Sequence, residues 1–289
     1  MNKIAIVTGA NSGLGFETTL AFSKEGIHTI MACRNLKKAE SAKNKILGIV
    51  PNASLDIIAL DLNSFDSVRA FASLFIKKYD SLNLLVNNAG FMATHFELTK
   101  DGNESQFQAN FLGHFLLTGL LLTTLNKTKN ARIISLASIA HRFGTFSINK
   151  IKNNKPYFGF KVYSNTKIAC LIFSALLQKK LKSTNQETIS IAAHPGISIT
   201  NISNKLNPTI LKLQDKLGKL FMSNQKQGAE SIVFAALNKN VKGGEYYGPS
   251  GIFEIKGKPK KVNRSRLAKK EKLAFELWNY AESVTGISY

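Results

Sequence analysis

The chain has 289 residues, 44% of them apolar, and carries 39 Lys and Arg against 18 Asp and Glu, a formal charge of +21 at pH 7. That is enough apolar material for the core of one large domain or two small ones, and the lack of any run of about 18 apolar residues excludes a transmembrane helix. Cys33 and Cys170 stand far apart and the five histidines form no spaced set, so no metal site is expected.

The chain opens "MNKIAIVTGA", strand-like from the start, which leaves no room for the apolar core of a signal peptide, and a cytoplasmic protein is expected. Short apolar or β-branched runs then recur at 3–9, 28–33, 54–62, 82–90, 131–138, 189–196 and, more weakly, 244–248. They are continuous rather than alternating, as in strands buried on both faces. Amphipathic stretches separate them. One covers 14–26 and ends on a glycine; another covers 64–79 and begins with a capping serine. Strand followed by helix, repeated about six times without a linker, predicts one α/β domain over 1–289, a Rossmann-type doubly wound parallel sheet of about seven strands with helices on both faces.

"TGANSGLG" follows the first strand directly and starts the first helix, where backbone N–H groups and the helix dipole favour a pyrophosphate. Gly9, Asn11, Ser12, Gly13, Leu14 and Gly15 are therefore expected contacts of a dinucleotide. The spacing differs from G-x-G-x-x-G, and a glycine-rich turn alone is weak evidence. The next strand ends "MACRN", with no carboxylate to bind a ribose 2′-hydroxyl. Arg34 stands there instead and suits a 2′-phosphate. NADP(H) is preferred to NAD(H) on this reading.

"PYFGFKVYSNTK" holds two Tyr-x-x-x-Lys pairs, Tyr157 with Lys161 and Tyr163 with Lys167. A free phenol titrates near about 10 and is a poor proton donor at neutral pH, so a nearby cation matters. Tyr157 lies between Pro156 and Gly159, in loop-like sequence. Tyr163 opens a long amphipathic helix, which places Lys167 one turn away on the same face. Spacing alone leaves both pairs open.

Taken together, these motifs resemble the short-chain dehydrogenase/reductase family across nearly the whole chain. "TGANSGLG" is similar to its cofactor loop, Asp61 and Leu62 to its adenine-side pair, and "NNAG", with Asn88, Ala89 and Gly90, to the turn after its fourth strand. "FQANFLGHFLLT" carries Asn110 at the family's helical asparagine, Ser138 follows the fifth strand, and "YSNTK" resembles the Tyr163–Lys167 site. "HPGISIT" looks like the loop that brings Pro195, Gly196 and Thr200 to the nicotinamide. "ACRN", "LASIAHRFG" and "YSNTKIACLIF" resemble the retinol dehydrogenase-like group, and the tail looks like soluble bacterial members of it.

The resemblance implies a carbonyl reductase or alcohol dehydrogenase with Tyr163 as general acid/base. Lys167 would support the phenolate and bond the nicotinamide ribose, Ser138 would bind the substrate oxygen, and Asn110 would support a water-linked proton path. Ser135 is expected to lie back inside the sheet. The region 196–223 would form a substrate lid, with Leu206, Ile210, Leu213, Leu217 and Leu220 making an apolar face suited to an apolar aldehyde, ketone or alcohol. Dimers and tetramers are frequent in the family, so the resemblance allows a homodimer without showing its interface.

Two alternatives belong to other classes. One is a silent NADP(H)-sensing regulator. The other is a basic protein that contacts an anionic membrane surface or a polyanion through the lysine-dense run 256–272, which opens the basic C-terminal extension 256–289. No helix-turn-helix, zinc-finger or RNA-binding signature accompanies that run, so no specific nucleic acid is expected.

Overall fold

A computed structural model describes residues 3–148, 156–196 and 224–289. Its backbone forms a single eight-stranded sheet in the order β3-β2-β1-β4-β5-β6-β7-β8. The strands are β1 (Ile4–Thr8), β2 (His28–Cys33), β3 (Leu55–Ala59), β4 (Leu84–Asn87), β5 (Arg132–Leu136), β6 (Ile189–Ala193), β7 (Tyr246–Pro249) and β8 (Pro259–Lys261). Strands β1 to β7 run parallel; β8 returns antiparallel to β7. The sequence pattern predicts seven strands, and the eighth is the difference. It lies inside the basic run, where Pro and Lys hide a three-residue edge strand.

The helices are α1 (Gly13–Lys24), α2 (Leu36–Ile49), α3 (Phe65–Lys78), the short α4 (Ser105–Phe107), α5 (Gly113–Lys127), α6 (Gly159–Ser183), α7 (Gln225–Leu237) and α8 (Glu271–Thr285). The predicted ends of α1 and α3 are met: Gly26 takes φ +67° after α1, and Ser64 accepts the Ser67 N–H at 3.2 Å. Neighbouring residues of β1 serve opposite faces. Ala5 and Val7 pack with α1, α2 and α7, whereas Ile6 packs with α3, α5, α6 and α8. Burial on both faces explains why the strands read as unbroken apolar runs.

The strand order reverses at β1, which pairs β2 on one side and β4 on the other. Ligands of open α/β sheets bind at such a switch point, beyond the carboxyl ends of the strands. The turns after β1, β4, β5 and β6 all emerge at that edge, and they carry most of the expected site residues.

Candidate active site

The turn after β1 is built for close approach. Gly9 takes φ +67° and donates its N–H to Ala32 O at 2.8 Å. A Cβ at Gly15 would fall 2.3 Å from Gly9 O and 2.7 Å from Asn88 Nδ2, so α1 meets the two turns with no room for a side chain. Gly13 takes φ +57° with open space beside it. The first turn of α1 has no acidic residue, and no side chain caps it. Its free N–H groups and positive dipole end suit the pyrophosphate of a dinucleotide.

Thr8 joins this turn to the one after β4. Its fully buried hydroxyl accepts the N–H groups of Asn88 and Ala89, each at 2.9 Å, and lies 2.9 Å from His114 Nε2. His114 Nδ1 donates to Asn110 O at 3.2 Å, so Nε2 accepts the Thr8 proton, with Val86 O a longer second acceptor at 3.3 Å. Burial pushes the His114 imidazole down to about 3 and holds it neutral. Asn88 Nδ2 adds a bond to Thr8 O at 2.7 Å.

At the end of β2, Cys33 lies under the loop, and burial drives its thiol up to about 11 against the opposing backbone bonds from Asn11 and Ala10. Arg34 follows, exposed, and no ion pair to it occurs among the described residues. Asn35 caps α2 by accepting the Lys38 N–H at 2.9 Å. Asp61 is half-buried and accepts the Asn63 N–H at 3.0 Å, while Leu62 is in the core against α5.

The catalytic candidates converge from three elements. Lys167 is 3% exposed, donates from Nζ to Leu136 O at 2.9 Å, and stands 5.5 Å from the centroid of the Tyr163 ring. The bond to Leu136 ties α6 to the end of β5, two residues before Ser138. Ser138 is half-buried and caps the following 3-10 turn by accepting the Ala140 N–H at 3.2 Å. Gly90 borders the same spot, since a Cβ there would lie 3.0 Å from Asn110 Oδ1 and 3.6 Å from Lys167 Nζ. Ser135 lies buried inside β5, paired with Asn87 and Ala192.

Asn110 sits in a π-helical turn, Gln108–Leu112, between α4 and α5. Its side chain exchanges two bonds with the Phe91 backbone, each at 2.9 Å, and donates to Thr166 Oγ1 at 3.2 Å. It thus clamps the turn after β4 to the helix that carries Lys167.

Tyr157 has its hydroxyl occupied by two side chains. Its hydroxyl donates to Glu104 Oε1 at 2.8 Å and accepts from Gln106 Nε2. Burial and the neighbouring Glu104 carboxylate raise its phenol far above the usual range. Lys161 is exposed on the outer side of α6.

Pro195 and Gly196 emerge after β6, Gly196 with φ +77°. Thr200 and the rest of the expected lid, 197–223, fall outside the described residues. Sequence reasoning missed Thr8 and His114 as organisers of the site. Their signal, a polar pair on otherwise apolar elements, was visible only as two buried-strand and buried-helix positions.

A family model described as short chain dehydrogenase matches residues 3–211. Retinol dehydrogenase 12 of Mus musculus is 34% identical over 289 residues, which takes in 99% of this chain and 87% of that protein. The chloroplastic short-chain dehydrogenase TIC 32 B of Brassica napus is 35% identical over 290 residues, 96% of this chain and 87% of its own length. Among solved structures, an uncharacterised protein of Mycobacterium paratuberculosis superposes with a TM-score of 0.82 at 32% identity, covering 99% of this chain and 94% of the other. Salutaridine reductase of Papaver somniferum, at 19% identity, shares the fold with a TM-score of 0.67, covering 85% of this chain and 99% of its own. On this combined likeness of sequence and fold, the chain belongs to the short-chain dehydrogenase/reductase family and, within it, to the retinol dehydrogenase-like group.

Proposed function

We propose that the protein is an NADP(H)-dependent oxidoreductase that acts on an apolar aldehyde or ketone, or on the matching alcohol, with Tyr163 as general acid/base. The family uses nicotinamide cofactors and acts on alcohols and carbonyls. The preference for NADP(H) rests on Arg34, exposed and unpaired among the described residues where an acidic residue would select NAD(H). The bound nicotinamide would supply or accept the hydride.

The observation that carries the proposal is the pairing of buried Lys167 with Tyr163, its ammonium 5.5 Å from the ring centroid and anchored on Leu136 O. Tyr163 gives its phenolic proton to the substrate oxygen in reduction and takes it back in oxidation. Lys167 balances the charge left on the Tyr163 oxygen. Ser138 accepts a backbone N–H through its oxygen, which leaves its own proton free for the substrate oxygen. Asn110 holds the turn at Phe91 and the helix at Thr166, so that Gly90 and Lys167 keep their spacing.

The test is consumption of NADPH and NADH with a panel of apolar aldehydes and ketones, using wild type, Tyr163→Phe and Tyr157→Phe. Turnover with NADPH should vanish in Tyr163→Phe and survive in Tyr157→Phe. Tight NADPH binding without turnover of any substrate in the wild type would sink the enzyme reading and favour a cofactor sensor.

A further inference from the structure

Three segments that leave the sheet beside one another, after β5, β6 and β7, meet at one carboxylate. Glu254 lies in the hairpin between β7 and β8, where Ser250 N–H bonds Lys258 O at 2.8 Å and Gly251 N–H bonds Lys256 O at 2.9 Å. Its Oε1 accepts Arg142 Nη2 at 2.8 Å. Its Oε2 lies 3.1 Å from His194 Nε2, a close contact off the line of a full hydrogen bond. Glu254 is 17% exposed and His194 is fully buried.

Each partner leads to a residue of the candidate site. Arg142 adjoins His141, which donates to Ser138 O twice, from its backbone N–H at 3.1 Å and from Nδ1 at 2.6 Å. His194 Nδ1 accepts the Gly196 N–H at 3.2 Å, which fixes the neutral tautomer with its proton on Nε2, toward Glu254. The ring has no play: a Cβ at Gly248 would fall 1.8 Å from Nε2, and Tyr246 covers it with ring centroids 5.1 Å apart. One at Gly196 would fall 2.1 Å from Ile255 O.

The backbone is also bent to aim this side chain inward. Phe253 and Glu254 both take positive φ, 51° and 59°. Side chains other than glycine's adopt that region at a cost, and two in succession persist only where the surroundings impose it. Packing does not impose it here, since Ile252 and Phe253 are 81% and 84% exposed. The tight turn imposes it: the Ile255 N–H bonds Ile252 O at 3.2 Å, closing a hairpin turn whose two central residues take positive φ, and the turn leaves the Glu254 carboxylate facing Arg142 and His194.

We propose that Glu254 is a positioning residue for the reaction. By joining Arg142 to His194 it fixes the peptide of Ser138 relative to the Pro195–Gly196 turn, and so fixes the oxygen-binding group relative to the nicotinamide side of the site. The proposal rests on the reductase reading above. Displacing a group that must meet a reacting atom lowers kcat far more than it lowers cofactor affinity.

The test compares Glu254→Ala, Glu254→Gln, Arg142→Gln and the double variant Glu254→Ala/Arg142→Gln in steady-state kinetics with NADPH and an accepted carbonyl substrate. Tyr163→Phe is run alongside. NADPH dissociation constants come from nicotinamide fluorescence, and thermal midpoints from circular dichroism. In Glu254→Ala, kcat should fall on the order of tenfold to a hundredfold while NADPH affinity stays within about twofold. Glu254→Gln retains an amide oxygen for Arg142 and should lose less. Arg142→Gln should reproduce part of the loss, and the double variant should lose no more than Glu254→Ala. Arg142 is exposed, so this arm still decides the matter if Glu254→Ala fails to fold. Wild-type kcat in Glu254→Ala, additive losses in the double variant, or a lowered thermal midpoint with kcat unchanged would each overturn the proposal. If Tyr163→Phe turns over like wild type, the reductase mechanism itself is what has failed.

Discussion

Replacing Thr8 by valine keeps the shape of a fully buried side chain and removes its hydroxyl. That hydroxyl accepts two backbone N–H groups, from Asn88 and Ala89, and serves the Nε2 lone pair of His114, all at 2.9 Å. Each buried polar group left without a partner costs about 1–3 kcal/mol. The Asn88 N–H keeps a second acceptor, Val86 O at 2.9 Å, so one stranded amide, that of Ala89, and one imidazole nitrogen give a loss of about 4 kcal/mol for Thr8→Val. Thr8→Ser keeps the hydroxyl and loses one methyl group, a cost of about 1 kcal/mol. Urea unfolding of both variants, fitted with a shared slope, should therefore separate them by about 3 kcal/mol. Because the same hydroxyl joins the turns after β1 and β4, NADPH binding should weaken in Thr8→Val more than in Thr8→Ser. If the two variants unfold within about 1 kcal/mol of each other, the hydroxyl is not the organiser claimed.

Arg34→Ala should weaken NADPH binding about tenfold or more, the worth of a charge-assisted bond, and leave NADH affinity nearly unchanged; equal weakening of both in a fluorescence titration would contradict the assigned 2′-phosphate. Burial lowers the imidazoles of His114 and His141 to about 3 and about 4 in the folded protein, against 6.5 for the free group. The unfolded chain thus binds protons that the native one refuses, so their contribution is whole above about pH 6.5 and drains away as the pH falls. Between about pH 6 and pH 5 each histidine should cost about 1.4 kcal/mol per unit, read as a falling urea midpoint, and neither ring should titrate by NMR in that window. Trp278→Ala should destabilise by about 3–5 kcal/mol, since the indole is 4% exposed and packs on Phe115, Phe173 and Tyr289; a melt shifted no more than that of an exposed variant such as Phe275→Ala would contradict this.

The sheet was legible because burial on both faces writes the inner parallel strands as apolar runs, and the predicted 28–33 matches β2 residue for residue. The runs predicted for β1 and β3 to β6 passed their true ends, since the turns after β3, β4, β5 and β6 are themselves partly apolar, whereas 244–248 began early and stopped one residue short of the end of β7. Tyr163 was preferred to Tyr157 on the helix that follows it, on Thr166 and Ser138, and on the family resemblance; the structure adds that Glu104 and Gln106 occupy the Tyr157 hydroxyl. β8 was not legible, because an edge strand protected by Pro and Lys is written as a charge run. The Glu254 junction was hidden for a different reason. Glu254 meets Arg142 across 112 positions of sequence, and no local pattern records a meeting of three loops.

Helix α8 has a consequence for how the molecule is made. Its Leu277 and Trp278, with Tyr289 beyond, cover Phe115 of α5 and Phe173 of α6, which precede them by a hundred residues or more. A growing chain emerges at about 5–20 residues per second. For several seconds at least, a nascent chain that has completed α5 and α6 presents an uncovered aromatic face. During this interval the uncovered face is open to capture by chaperones or to aggregation.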